Sequence, residues 1–153
     1  MPEIVQSGRI INAKSGTAMD LSGGDNKYII GYPYHDGTNQ HWTLTWTGNS
    51  WTFRSESSGL YLGLAGAPAD GTRLIAMPTP VEFDIWHDEQ DPANYRIFVP
   101  NTNFNFDLYG DGDSTPGTPI TLWYKWAGIH QTWSFERGKC FWSSMFQQFL
   151  NLV

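Results

Sequence analysis

Cysteine, charge and long apolar runs are all scarce in this chain, and each scarcity removes a class of protein. A single cysteine, Cys140, stands among 153 residues, so no internal disulfide framework can hold the fold. The opening Met-Pro-Glu-Ile-Val-Gln-Ser-Gly-Arg has neither a basic n-region nor an apolar h-region, and a cytoplasmic protein is expected. No run approaches the ~18 apolar residues of a membrane helix, so no membrane span is expected. Only 16% of the residues are charged, against roughly 25% in an average soluble domain. Nine basic and fifteen acidic side chains give a net charge of −6 with no local basic cluster. That is the wrong sign for gripping a phosphate backbone, and nucleic acid drops out as a partner.

Motifs for catalysis and metal binding are missing too. His35, His41, His87 and His130 show neither His-x-x-x-His nor zinc spacing with a cysteine. The stretch from Asp107 to Gly112 resembles the start of a calcium loop, but its twelfth position is Thr118, which supplies no carboxylate. Neither a nucleophile elbow nor a phosphate-cradling loop is present. The expectation is a protein without enzymatic activity, cofactor or metal.

Aromatic residues, by contrast, are plentiful at 16%, eight of them tryptophan, and 16 Gly with 9 Pro punctuate the chain. Short β-rich runs between turn residues predict strands at 9–12, 18–21, 28–32, 41–46, 51–55, 61–64, 73–77, 95–99, 105–109, 120–123 and 132–135. Turn chemistry such as Ser22-Gly23-Gly24-Asp25, Asp36-Gly37, Ser58-Gly59 and Asp111-Gly112 separates them. The chain divides into a domain over 1–137 and a tail over 138–153. In the tail, Phe141, Trp142, Met145, Phe146, Phe149 and Leu150 recur at helical steps. That tail reads either as a docking element or as a non-native extension.

The domain repeats itself. Ala18-Met19-Asp20-Leu21-Ser22-Gly23 resembles Leu60-Tyr61-Leu62-Gly63-Leu64-Ala65-Gly66 and Phe104-Asn105-Phe106-Asp107-Leu108-Tyr109-Gly110. Gln40-His41-Trp42, Asp84-Ile85-Trp86 and Gln131-Thr132-Trp133 recur in step. Three units, at about 8–44, 45–86 and 87–136, are too few for a propeller but can close a barrel under a hairpin cap. An all-β fold follows: a β-trefoil of three imperfect four-strand repeats with pseudo-threefold symmetry, Trp42, Trp86 and Trp133 forming its repeated core. Trp46, Trp51 and Trp126 fit either core or exposed platform.

A Gln-x-Trp near the end of a unit, in phase with an Asp-Leu about 20 residues earlier, resembles the signature of ricin-B-like β-trefoil lectins. The run from Asp20 to Trp42 is most similar to the small lectins of mushroom fruiting bodies. The resemblance implies binding of terminal galactose or N-acetylgalactosamine glycans and glycoproteins. Related trefoils also serve as protease inhibitors or enzyme-associated subunits without sugar binding, and a homodimer or a protein partner stays open.

A sugar site needs an acceptor for adjacent hydroxyls, an aromatic platform for the ring's C–H face and an amide donor. By match to the family motif, the first repeat supplies Asp20 as acceptor, Tyr32 as platform and Asn39 as donor, with Gln40 holding the carboxylate from behind. Tyr34 and His35 could widen the contact. The third repeat offers Asp107, Trp123 and Gln131, with His130 at the donor position, and is expected to bind more weakly. Protonation of His130 would add a cation competing for Asp107, so this site is expected to lose affinity in acid while the first changes little. In the second repeat Gly63 replaces the aspartate, Met77 the aromatic and Phe83-Asp84 the amide pair. No sugar site is expected there.

Overall fold

A computed structural model describes residues 7–137, so the tail lies outside the described residues. Twelve strands run β1 (Ser7–Asn12), β2 (Ala18–Leu21), β3 (Ile29–Tyr32), β4 (Trp42–Trp46), β5 (Trp51–Ser55), β6 (Tyr61–Leu64), β7 (Leu74–Met77), β8 (Asp84–His87), β9 (Tyr95–Phe98), β10 (Phe104–Leu108), β11 (Thr118–Tyr124) and β12 (Trp133–Arg137). Strand β8 was not among the eleven predicted. The β10 prediction ran one residue too far, because Tyr109 opens a helical turn to Gly112 in which Gly110 and Asp111 have φ of 69° and 57°.

Six strands close a barrel. β1 pairs with β4, β4 with β5, β8 with β9, β9 with β12, and β12 returns to β1; a Trp51–Phe83 bridge joins the β5 and β8 sides. The hairpins β2–β3, β6–β7 and β10–β11 form the cap, tied together by β3–β11 pairing and by the bridges Tyr28–Ile75 and Arg73–Thr121. Among the described residues closure pairs the first strand with the last and so covers edges that an open sheet would expose, which is the stabilising logic of three-unit repetition.

The core repeats accordingly. Met19, Leu62 and Phe106 occupy matching positions one residue before Asp20, Gly63 and Asp107, and all are fully buried. Trp42 and Trp133 are buried, and their indole N–H groups donate to the carbonyls of Met19 (2.9 Å) and Phe106 (3.2 Å). The expected third member fails: Trp86 is 64% exposed.

Strand register explains why. Trp42 lies opposite Ser55 and Trp133 opposite Asn12. Ser55, Asn12 and Val99 each open a like turn, bonding to Leu60, Thr17 and Phe104. The pairing of Asp84 with Phe98 sets Phe83, not Trp86, opposite Val99. Phe83 is fully buried and meets Phe53 and Phe106 at 6.0 and 5.0 Å between ring centroids.

Of the ambiguous tryptophans, Trp51 is core, with Trp46 tilted against it at 5.3 Å, while Trp126 is half exposed. Trp86→Ala should therefore change stability by no more than ~0.5 kcal/mol, measured by urea denaturation. A loss of several kcal/mol would restore Trp86 to the core.

Candidate functional site

In the first repeat, β2 carries Asp20 and β3 carries Tyr32, antiparallel neighbours with Ala18 opposite Tyr32. A 3-10 turn, Thr38–Gln40, brings the two amides beneath them. Asp20 is only 2% exposed. Its Oδ1 accepts from Asn39 Nδ2 (3.0 Å) and its Oδ2 from Gln40 Nε2 (2.9 Å). Gln40 is fully buried, donates also to the Pro33 carbonyl at 3.0 Å and accepts from the His35 backbone N–H at 2.9 Å. It thus links the carboxylate to the loop that follows Tyr32.

Asn39 differs from expectation. Its second Nδ2 hydrogen goes to the Leu21 carbonyl at 3.1 Å, so the amide orients the carboxylate instead of standing free as a donor. A carboxylate has about four acceptor positions. Each oxygen of Asp20 has one protein donor here, which leaves room for two adjacent hydroxyls. Burial pushes the Asp20 carboxyl above its ordinary range, partly offset by the Gln40 bond, His35 and Asn39.

Tyr32 is 39% exposed, with the His35 ring standing edge-on at 5.9 Å. Tyr34 is turned to other work: its hydroxyl donates to Asp36 Oδ1 at 2.6 Å and lies 2.8 Å from His41 Nε2, and the Arg9 guanidinium sits 4.3 Å over its ring. The ring that stands against Tyr32 is that of His35, not that of Tyr34.

The third repeat reproduces the plan. Asn105 lies opposite Trp123 in the β10–β11 pair that carries Asp107, and the turn Ile129–Gln131 brings in His130 and Gln131. Both converge on Asp107 Oδ2, His130 Nε2 at 3.1 Å and Gln131 Nε2 at 2.8 Å. The opposite ring nitrogen, Nδ1, lies 3.3 Å from Asp111 Oδ1 without the alignment of a hydrogen bond. Trp126 tilts against His130 at 5.0 Å and Tyr109 against Trp123 at 6.3 Å. These groups line a cavity of about 300 Å³ with Asp107 at one wall. Lys14 pairs with Asp111 at 3.1 Å, and its hydrogen bond and charge hold that carboxyl below the usual range.

Two features of the sites escaped the sequence reading. One is glycine: a Cβ on Gly37 would fall 2.4 Å from His35 Cε1, and one on Gly128 2.4 Å from His130 Cε1. The visible signal was the parallel of Gly37-Thr38-Asn39-Gln40-His41-Trp42 with Gly128-Ile129-His130-Gln131-Thr132-Trp133. The other is Arg96, 4% exposed. Its Nε donates to Asp88 Oδ1 at 2.7 Å, and its Nη1 to Asn105 Oδ1 and Gln131 Oε1, both at 3.0 Å. Gln131 is therefore braced by a buried cation that Gln40 lacks.

The second repeat lacks this chemistry. Its equivalent of the amide pair is Pro80-Val81, counted back from Phe83, and not Phe83-Asp84. A Cβ on Gly63 would sit 2.3 Å from Met77 Sδ and 3.3 Å from Val81 Cγ2, so apolar groups fill the position of the carboxylate. Among the described residues, no group of three or more His, Cys, Asp or Glu is placed to hold a metal ion.

Residues 5–77 match the family described as ricin-type β-trefoil lectin domain-like. The ricin B-like lectin of Macrolepiota procera, solved in complex with lactose, is 60% identical. The match covers 87% of this chain and 96% of that one at a TM-score of 0.86. The Rhizoctonia solani agglutinin is 27% identical over 90% of this chain and 100% of its own, at a TM-score of 0.78. The designed threefold-symmetric protein ThreeFoil, 19% identical over 85% of this chain and 97% of its own, shares the fold at a TM-score of 0.76. No curated protein matches the chain. Twelve strands in three units, the in-phase Asp and Gln-x-Trp landmarks and the 60% identity lead to one assignment: the chain belongs to the ricin-B-like β-trefoil lectins.

Proposed function

We infer that the protein binds galactose-terminated glycans of the lactose and N-acetylgalactosamine type. The principal site is Asp20, Tyr32, Asn39 and Gln40; a weaker one is Asp107, Trp123, His130 and Gln131. The observation that carries this reading is a buried carboxylate, fixed through both oxygens by side-chain amides, beside an exposed tyrosine. Ordering that carboxylate in advance spares the ligand the cost of doing so. Two vicinal hydroxyls then donate to Asp20, and the C–H face of the pyranose lies on Tyr32. The 60% identity to a lectin solved with lactose supports lactose as the first ligand to test. A cytoplasmic location belongs to the proposal and rests on the lone cysteine. Titration calorimetry with lactose, alongside a glycan array, tests it: binding confined to galactose-terminated glycans is expected, and silence across them would overturn the reading in favour of a trefoil that engages proteins.

The raised pKa of Asp20 sets the acid limit of the principal site. The ligand requires the ionised acceptor, so affinity is complete above the raised value and falls as pH drops through it, starting above the ordinary 3.8. An acid whose folded-state pKa is raised takes up its proton more readily folded than unfolded, so this titration does not itself destabilise the fold. Asp88 behaves oppositely. Burial alone would raise it, but hydrogen bonds from Arg96 and from the backbone of Asp91 and Gln90 outweigh that and hold it low; its stabilising contribution is lost below 3.8. Lactose affinity should thus begin to decline at a pH above 3.8 while circular dichroism stays native. An affinity flat across that window would contradict the role of Asp20.

A further inference from the structure

The geometry points to a fourth saccharide subsite, for a neutral pyranose ring, built on the exposed indole of Trp86 and lying outside the three positions repeated by the trefoil. Because Phe83 occupies the core position, the β8–β9 ladder sets Asp84 opposite Phe98 and Trp86 opposite Arg96. Side chains alternate along a strand, so these four share the face opposite to the core pair Ile85 and Ile97. They floor a cavity of about 290 Å³, walled by Asn101, Asn103 and Lys125.

The lining fits a pyranose ring. Trp86, 64% exposed, offers a flat apolar face next to polar groups. Arg96 is 96% buried, and its Nε and Nη1 hydrogens are taken by Asp88, Asn105 and Gln131. Of its five donors, the two on Nη2 have no hydrogen-bond acceptor among the described residues, and Arg96 lines the cavity. A hydroxyl oxygen is a suitable acceptor, and the Asn101 and Asn103 amides can both donate and accept. Asp84 is engaged by the Ser50 hydroxyl at 2.6 Å, and Lys125 lies 3.6 Å from Glu89. With acid and base both present on the walls, a neutral ring fits better than an anionic one.

The same Arg96 that faces this cavity braces Gln131 behind Asp107. The site nevertheless stands apart from the Asp20 site and needs neither trefoil carboxylate. Its test therefore uses Asp20→Ala/Asp107→Ala protein, so that its failure is separate from failure of the proposed function. The probes are galactose, glucose, mannose, N-acetylglucosamine and lactose, added singly in heteronuclear NMR titrations. At least one should shift the Trp86 indole N–H and the Asn101 and Asn103 amides together, with a millimolar dissociation constant. Adding Trp86→Ala, an exposed position, should abolish the asparagine shifts. No response to any of the five sugars, or asparagine shifts that persist undiminished without the indole, would overturn the subsite.

Discussion

Asp20→Ala lowers the affinity of the principal site for lactose by roughly 30- to 150-fold, equivalent to about 2–3 kcal/mol. The size follows from what is lost. Hydrogen bonds to a charged acceptor contribute more than neutral ones, and here two sugar hydroxyls lose one acceptor each. The side-chain amides of Asn39 and Gln40 also lose their shared partner, so the site is disordered as well as incomplete. Asp20→Asn separates these effects, since it preserves the shape but turns one oxygen into a donor. Calorimetry should find the asparagine variant weak and insensitive to acid. Wild-type affinity in the alanine variant would remove Asp20 from the site.

Arg96→Met costs about 3–5 kcal/mol of folding stability, because it leaves Asp88, 7% exposed, as a buried charge without its 2.7 Å partner. For a domain of this size that is a fall in melting temperature of about 10 °C. Replacing both partners, as in Arg96→Met/Asp88→Leu, should recover much of the loss, since the penalty lies in the unpaired charge and not in the absence of the pair. The third-repeat site should weaken at the same time: Gln131 Oε1 would retain only the Trp126 backbone N–H at 3.0 Å. The Asp20 site should be unchanged. A loss below about 1 kcal/mol in the single variant would show that Asp88 finds water or another donor.

The sequence carried the fold because the repeat is local and periodic. Alternating strands, turn glycines and the in-phase Asp and Gln-x-Trp landmarks are properties of short windows, and eleven of the twelve strands could be read from them. The missing strand and the misassigned Trp86 share one cause. The second repeat contains no Gln-x-Trp, and the nearest Trp is three residues out of register. Only pairing with β9 reveals that Phe83 has taken the core position. The Asp–aromatic–amide sets were legible for the same reason as the fold. Arg96 was not, since its partners Asp88, Asn105 and Gln131 are joined by the barrel and not by any motif.

The pairing of β1 with β12 also bears on how the chain is made. Gly8 to Asn12 align with Arg137 to Trp133, and a Cβ at Gly8 would fall 2.2 Å from the Glu136 carbonyl oxygen. The contact is close and joins segments more than a hundred residues apart. During synthesis the first strand therefore emerges long before its partner, so one flank of the nascent first repeat presents unpaired backbone until residue 137 leaves the ribosome. Such distant pairing comes late and slowly in folding, and throughout that interval the open flank of β1 is a template on which any other exposed strand edge can pair.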